Sequence, residues 1–327
     1  MMSVPSETAY RSAAAALSVG TPRHHMAIFA GLLVLLLAAP FVLYPVFLMK
    51  VLCFALFALA LNLLLGFGGL LSFGHAAFFG SASYVAAHAA KVWGLTPELA
   101  ILMGTGAAGV LGLGIGALAI RRQGIYFAMV TLAFAQMVYF FAMQVPFTGG
   151  EDGIQAVPRG RLFGVLDLSS DLTLYFVVLA IVFGGMLLIY RIIHSPFGQV
   201  LKAIRDNEPR SVSLGYKVNR YKLAVFVLSA TLAGLAGATK AIVFQLASLT
   251  DVHWTMSGEV VLMTLLGGMG TVFGPIVGAA VIVTVENYFA GFGAWVTVIQ
   301  GAIFVAGVLL FREGILGVIA RWTKKPL

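Results

Sequence analysis

Apolar residues run along most of this chain in long blocks that short polar stretches separate. The blocks have roughly the 20-residue length that an α-helix needs to cross a bilayer. They occupy residues 27–47, 51–66, 72–90, 99–120, 125–145, 172–193, 223–246, 259–285 and 288–311. Because a helix satisfies its own backbone hydrogen bonds in lipid, the pattern predicts an all-α polytopic membrane bundle of about nine or ten transmembrane helices.

Composition and charge narrow the class of protein further. The chain is 61% hydrophobic and 10% charged, with a mean hydropathy of +1.01, whereas soluble domains carry about 25% charged residues. The net charge of +8 does not indicate nucleic-acid binding, because the basic residues fall where the positive-inside rule puts cytoplasmic loops. These basic residues are Arg23, Arg121, Arg122, those of segment 195–222, Arg321, Lys324 and Lys325.

The same rule orients the chain. Residues 146–171 hold four acids against two bases, which indicates an external loop, so both termini are predicted to be cytoplasmic. The predicted layout is a tail at 1–26, one transmembrane domain at 27–320 and a tail at 321–327. The first tail has the small residues of a signal peptide, but the apolar run after it has full span length. An uncleaved first helix is therefore predicted.

Catalytic and metal-binding patterns are not indicated. Cys53 stands alone in an apolar run, and among six histidines only the adjacent His24 and His25 approach metal-ligand spacing. The nearest likeness to a phosphate-binding Gly-x4-Gly-Lys-Ser/Thr loop, Gly234 to Lys240, lacks the second glycine. We therefore predict no catalytic residues, no cofactor and no metal. An integral-membrane enzyme would need such a convergent cluster.

Two glycine-rich stretches interrupt the apolar pattern. Residues 65–74 and 265–274 share leucine, glycine, phenylalanine and glycine at equivalent positions. Backbone outside a helix survives at membrane depth only where protein or a water-filled cavity covers it, and paired interruptions are typical of helices that line a transport path. We predict broken or re-entrant helices here, unless the similarity of two low-complexity stretches is chance. The glycines expected along the path are Gly68, Gly69, Gly267, Gly268 and Gly270.

Polar side chains inside the apolar runs are also candidates for the path. An ionised group at a helix centre costs about 2.5–3.5 kcal/mol on insertion scales, so it calls for a functional hypothesis. Asn62 and Ser72 either line the path or form interhelical hydrogen bonds. His75 follows the first interruption and either lines the path or is a hydrogen-bonded structural histidine. Glu259 either meets a substrate ammonium or caps its helix.

Segment 195–222, hereafter the basic segment, differs from the rest of the chain. It holds six basic residues against two acids and is longer than a simple connection requires. Pro196 suits a first helical turn, and apolar residues follow at helical spacing. Glu208, before Pro209, disfavours continuing that helix, and Gly215 is a plausible end to a second turn at 210–214. Such a segment either lies on anionic lipid headgroups or contacts a cytoplasmic partner.

Several motifs occur in a fixed order along the chain. They are LNLLLGFGG at 61–69, SFGHAAFFG at 72–80, TGGEDG at 148–153, SPFG at 195–198 with AIRDNE at 203–208, SGE at 257–259, GGMGT at 267–271 and GPIVGA at 274–279. Over most of its length the chain thereby resembles the LivM-type branched-chain amino acid permeases of bacterial ABC importers.

The resemblance implies a permease that works by alternating access. It would pair with a second permease, two cytoplasmic ATPases that hydrolyse the ATP, and a periplasmic binding protein, in the bacterial inner membrane. A coupling loop at 194–222 would contact the ATPases. The residues implied in that contact are Phe197, Leu201, Arg205, Asp206, Asn207, Glu208 and Arg210. Glu151 and Asp152, flanked by glycines on the external face, are expected either to dock the binding protein or to complete a turn.

Two alternatives remain open for the function. The stretch 246–254, with Asp251 and His253, departs from the usual pattern of the family, and urea- or amide-type ABC permeases share much of the remaining sequence. An ion-coupled secondary transporter would need acidic groups inside the membrane, for which Glu259 and Glu286 are the candidates.

Overall fold

The computed structural model describes residues 23–293, 295–310 and 314–317. Its α-helices are α1 Arg23–Ala38, α2 Pro45–Asn62, α3 His75–Lys91, α4 Pro97–Ala119, α5 Ile125–Gln144, α6 Asp171–His194, α7 Pro196–Asp206, α8 Glu208–Ser213, α9 Val218–Phe244, α10 Trp254–Gly267, α11 Gly274–Phe289 and α12 Trp295–Leu310. Four two-residue strands are β1 Ile154–Gln155, β2 Arg161–Leu162, β3 Leu166–Asp167 and β4 Leu246–Ala247. Most of the predicted first tail (residues 1–22) and all of the second (321–327) lie outside the described residues.

The chain divides into two units, Met1–Leu37 and Ala38–Leu327. In the first unit the structure describes the apolar helix α1. Within the described part of the second unit, six helical segments are long and apolar enough to cross a membrane, namely α2 with its extension to Phe67, α4, α5, α6, α9 and α11 with its extension to Phe292. The prediction of an all-α polytopic membrane bundle is confirmed.

Two predicted span boundaries are wrong for identifiable reasons. The run at 259–285 is two helices, α10 and α11, because the glycine-rich residues between them turn the chain back on itself. The run at 51–66 begins earlier, at Pro45, because proline suits the first turn of a helix. The broken helices predicted at the glycine-rich stretches are confirmed.

Helix α2 lies at the centre of the second unit. It packs against α6, α9, α10 and α11, and nearly all of its residues from Leu48 onward are buried. Beside it, α3, α4 and α9 pack closely on one another. A methyl group added at Gly104 would meet the carbonyl of Ala82, and one at Gly237 would meet that of Phe79. Small residues thus bring these helix backbones together, as expected where lipid gives no hydrophobic drive to association.

The 24-residue helix α6 separates two ends of the bundle. At about 1.5 Å per residue it is roughly 36 Å long, enough to cross the hydrocarbon core. We call the end that carries the basic segment the basic end, and the end that carries residues 146–171 the loop end. At the loop end β1 pairs with β4, with Ile154 opposite Ala247. The glycine-rich residues that follow α2 and α10 lie at the basic end, beside α7.

Candidate coupling and translocation site

Asn62 joins the two glycine-rich stretches. The first glycine connection (residues 63–74) starts as a π-helical turn, Leu63–Phe67, after α2, and the second (residues 268–273) separates α10 from α11. The buried Asn62 amide donates to the carbonyl of Thr271 at 2.8 Å, and its oxygen accepts from the amide of Gly270 at 2.9 Å. A single side chain therefore satisfies backbone groups that the break in the helix leaves free.

Glycine is needed where the two connections touch. A Cβ at Gly66 would lie 2.6 Å from the amide nitrogen of Gly270. On the helices beside the second connection, a Cβ at Gly267 would meet the carbonyl of Gly274, and one at Gly278 would meet that of Met263. These contacts involve backbone atoms that cannot move aside, so the α10–α11 hairpin depends on the missing side chains.

Arg205 links the basic segment to this junction. Its Nη1 donates to the carbonyl oxygen of Gly66 at 2.5 Å, while its Nε and Nη2 donate to Asp206 at 3.1 and 3.0 Å. The aliphatic part of the same side chain covers Gly69, which has a φ of +69° and where a Cβ would collide with Arg205 Cγ at 2.7 Å. A guanidinium on α7 therefore holds the end of the central helix directly.

A second cation of α7 rests on the same connection. The ammonium of Lys202 lies 5.6 Å from the ring centroid of Phe67, within cation–π range. Burial lowers the pKa of Lys202, and the neighbouring charge of Arg205 lowers it further. Two consecutive turns of α7 thus face the first glycine connection.

The basic segment folds as the sequence predicts. The Ser195 hydroxyl accepts from the amide of Gly198 at the start of α7, and the Asn207 side chain accepts from the amide of Arg210 at 3.0 Å to start α8. Leu201 and Ile204 are buried against the bundle, and Gly215 has a φ of +86°. The break between the helices falls at Asn207, one residue earlier than Glu208, and the second turn begins at Glu208 rather than at Arg210.

Some of the residues predicted to contact an ATPase instead make contacts within the chain. Glu208 accepts from the buried Lys222 at 2.8 Å and from Gln123 at 3.1 Å, so it fastens α8 to α9. The Leu201 side chain is buried within the chain and orients α7. Asp206 and Arg210 are exposed, and Phe197 is half-buried against Tyr221. Contact of these residues with an ATPase stays a prediction.

Apolar side chains are exposed on α8 and on the turn after it, which was not predicted from the sequence. Val212 and Leu214 are 56% and 68% exposed. Val212 and Leu214 are exposed on the same connection between α6 and α9 as Asp206 and Arg210. We treat these four residues as one exposed surface. Two apolar residues within a basic stretch, at positions 212 and 214, could have indicated this exposed apolar surface from the sequence.

A cavity of about 380 Å³ opens beside the first glycine connection. Its lining includes Gly69 and Phe73 from the connection and Gly124 and Phe127 from the start of α5. Gly69 is exposed, whereas Gly68 is buried. Of the glycines predicted along a path, Gly69 therefore borders open space at the basic end, while Gly267, Gly268 and Gly270 form the tight turn that Asn62 holds.

Ser72 forms a local hydrogen bond rather than one between helices, whereas His75 bonds to a neighbouring helix; a role of either residue in the path stays a prediction. Ser72 accepts from the amide of Gly74 at 3.2 Å. The His75 Nε2 lies 2.8 Å from the hydroxyl of Ser229, which donates to the carbonyl of Ala60, and the histidine is fully buried. This is the hydrogen-bonded structural histidine that the sequence left as one alternative.

Glu259 lies with two other charged groups at the loop end of the bundle. Lys50 on α2 and Glu286 on α11 form an ion pair of 3.0 Å, and the charges of both act on Glu259 on α10. A second, buried pair joins Lys240 to Asp251 at 2.7 Å, with side chains 11% and 3% exposed. Neither pair was predicted from the sequence.

Glu151 and Asp152 stand at the opposite end from the basic segment. They form an exposed 3₁₀ turn between Gly149 and Gly153, both of which have positive φ. The turn-forming alternative for this motif is therefore confirmed. A docking role for the two exposed carboxylates stays a prediction.

Most of the chain matches a known protein family. A sequence model of the family described as branched-chain amino acid transport system / permease component matches residues 44–308. The chain belongs to this family. The match takes in both glycine connections, the basic segment and the cluster at the loop end. The chain is therefore a multi-pass transmembrane permease subunit of an ABC importer, that is, a transport subunit rather than an enzyme.

Individual relatives support this membership. The chain is 28% identical over 290 residues to the high-affinity branched-chain amino acid transport system permease protein LivM of Escherichia coli, with 80% of this chain and 67% of that protein covered. It is 29% identical over 291 residues to LivM of Salmonella typhimurium, with the same coverage. It is also 28% identical over 238 residues to the ribose import permease protein RbsC of Bacillus subtilis, covering 68% of this chain and 70% of that protein. No solved structure matches.

Proposed function

We propose that this permease moves branched-chain or similar hydrophobic amino acids across the bacterial inner membrane by alternating access. The substrate class is supported by the names of the two LivM relatives, while the ribose permease shows that a similar chain carries a different cargo. The observation that carries the proposed mechanism is the hydrogen bond from Arg205 to Gly66, because it connects the basic segment to the central helix without an intermediate residue.

The proposed mechanism is a rigid-body transfer of motion. Two partner ATPases hydrolyse ATP and close upon each other, and one of them pushes on the surface of this chain formed by Asp206, Arg210, Val212 and Leu214. Because Leu201 and Ile204 bury α7 against the bundle, a push on α8 displaces α7 as a body. Arg205 then shifts the first glycine connection, and Asn62 passes the shift to the second.

The proposed orientation puts the basic end in the cytoplasm. It carries Arg121, Arg122 and the basic segment, in keeping with the positive-inside rule. The loop end then faces the periplasm, where Glu151 and Asp152 dock a substrate-binding protein. A second permease completes the pathway.

Uptake measurements test the function. Cells that lack this chain, complemented with the wild-type chain, are expected to regain uptake of labelled leucine, isoleucine and valine. Uptake should stop when ATP is depleted and persist when a protonophore collapses the ion gradient. Uptake that follows the gradient instead would identify an ion-coupled carrier, and uptake of labelled urea without leucine would identify an amide-type permease.

Purification in a mild detergent tests the partners. We expect the wild-type chain to bring down an ATPase and a second permease, and Arg210→Glu to lose most of the ATPase, because it reverses an exposed charge on the proposed contact. Arg220→Glu is the matched control, since Arg220 is an exposed arginine on the first turn of α9. Equal recovery of the ATPase with Arg210→Glu and wild type would contradict the contact.

A further inference from the structure

A charged cavity lies at the loop end, away from the glycine connections. Its volume is about 240 Å³, far above the roughly 10–15 Å³ that one water needs. Apolar side chains of α2, the turn before it and α9 form much of the wall, and Lys50 and Asn287 supply polar groups. The residues that line the wall include Leu43, Val46, Phe47, Phe244, Lys50 and Asn287.

An ion pair between α2 and α11 lies beside this cavity, and Glu259 lies on α10, which packs against both helices. Lys50 and Glu286 form an ion pair of 3.0 Å, with side chains 30% and 24% exposed, and their charges act on Glu259. Glu259 has no hydrogen-bond partner among the described residues. Charged groups within membrane helices are costly and commonly mark the route of a substrate or an ion.

Resting on the proposed function, we propose that this cluster is a binding site for the zwitterionic end of an α-amino acid that enters from the loop end. The carboxylate of the ligand takes Lys50 from Glu286, and its ammonium is held by Glu286 and Glu259. The apolar wall of the cavity receives the hydrophobic side chain. Lys50 and Glu286 thus present one charge of each sign to a ligand that also carries one charge of each sign.

The arrangement matches an amino acid better than the alternatives. A neutral amide such as urea carries no charge with which to pair these ionisable groups, so its binding would not offset the cost of keeping them within membrane helices. A carboxylate without an ammonium would pair with Lys50 and leave Glu286 without a counter-ion, and an amine without a carboxylate would pair with Glu286 and leave Lys50 without one. The simplest structural role is an ion pair that staples α2 to α11, which requires neither Glu259 nor the cavity.

Ligand binding is tested on the complex purified with its partner subunits. Thermal stabilisation is measured with L-leucine, with 4-methylpentanoate, which lacks the ammonium, with isoamylamine, which lacks the carboxylate, and with urea. We expect L-leucine to stabilise the complex and the other three to do so at least about tenfold more weakly, since a lost hydrogen bond to a charged group has that effect. Equal stabilisation by 4-methylpentanoate or isoamylamine would overturn the site.

Variants separate binding from a structural staple. Lys50→Glu combined with Glu286→Lys restores an ion pair but exchanges the positions of the two charges. We expect this double variant to assemble and to bind L-leucine at least about tenfold more weakly than wild type. Wild-type affinity in the double variant would overturn the proposal, because a staple is indifferent to which helix carries which charge.

Glu259→Gln gives an independent measurement, because it breaks no hydrogen bond among the described residues. We expect weaker L-leucine binding with unchanged thermal stability of the ligand-free complex. The control is Lys91→Gln, which removes an exposed charge at the same end, outside the cavity lining. Unchanged leucine affinity in Glu259→Gln would remove Glu259 from the site.

The outcomes also separate this inference from the proposed function. A wild-type complex that binds L-leucine but does not import it would contradict the function and leave the site standing. A complex that imports leucine with unchanged half-saturation in Glu259→Gln and in the double variant would contradict the site and leave the function standing.

Discussion

Arg205 and Gly66, 139 residues apart in the sequence, are joined by a hydrogen bond of 2.5 Å from the guanidinium Nη1 to the carbonyl oxygen. The carbonyl belongs to the π-helical turn at the end of the central helix, so it lacks the usual partner one helical turn further on. The guanidinium belongs to the short helix α7, which packs on the basic end of the bundle through Leu201 and Ile204. A motion applied to that helix therefore acts on the core of the permease through one side chain.

Replacement of Asn62 is expected to separate the two glycine connections. Asn62→Ala leaves the amide of Gly270 and the carbonyl of Thr271 without their partner. The expected loss in the free energy of unfolding is about 2–6 kcal/mol, since each of the two unpaired groups costs roughly 1–3 kcal/mol. Denaturant titration of the purified protein measures it.

The exposed Asn219 supplies the control for this change. Asn219→Ala is expected to alter stability by no more than about 0.5 kcal/mol, as for ordinary surface substitutions. Equal stability of Asn62→Ala and Asn219→Ala would contradict the bridging role.

The glycines of the α10–α11 hairpin are expected to resist the smallest enlargement. In Gly267→Ala and Gly278→Ala the new methyl group meets the carbonyls of Gly274 and Met263. Overpacking against rigid backbone costs about 1–3 kcal/mol, which should appear as a lower thermal midpoint in detergent.

Gly258 on the same helix α10 is the matched control. A Cβ there meets nothing within 4 Å, so Gly258→Ala is expected to be neutral or stabilising by up to about 1 kcal/mol from helix propensity. Similar losses at Gly258 and Gly267 would contradict the account, because close approach to backbone could then not explain the loss at Gly267.

The buried pair of Lys240 and Asp251 gives a third prediction. Its side chains are 11% and 3% exposed, so Lys240→Met strands a buried carboxylate and should cost about 3–5 kcal/mol of unfolding free energy. Adding Asp251→Asn removes the stranded charge and should recover part of the loss, because the amide oxygen can still accept from the amide of Ser248. A double variant no more stable than the single one would contradict a charge-based explanation. Lys217→Met, at an exposed lysine, serves as control.

The local features of this fold were readable from the sequence. Apolar runs of span length predicted most of the helices, Pro196 and Gly215 marked the limits of the basic segment, and the glycine-rich stretches marked the breaks. Each of these signals acts within a few residues of the chain, through helix length, fixed φ or the missing Cβ.

The contacts that define the candidate site were not readable in this way. Asn62 and Gly270 are separated by 208 residues, and Lys50 and Glu286 by 236. Such pairings depend on how the helices assemble, and no local pattern encodes that. Arg205 was assigned to a partner because its charge stood out, although its bond to Gly66 lies inside the chain.

The most direct test of the account is the number of substrate molecules moved per ATP hydrolysed by the reconstituted complex with Arg205→Met. Methionine keeps the aliphatic cover over Gly69 but offers no donor to Gly66. We expect the complex to assemble and hydrolyse ATP while leucine uptake falls at least about tenfold, the equivalent of a charged hydrogen bond. Arg220→Met, at an exposed arginine, should leave both rates unchanged. Uptake and hydrolysis that stay at wild-type levels in Arg205→Met, or that fall in equal proportion, would contradict coupling through this bond.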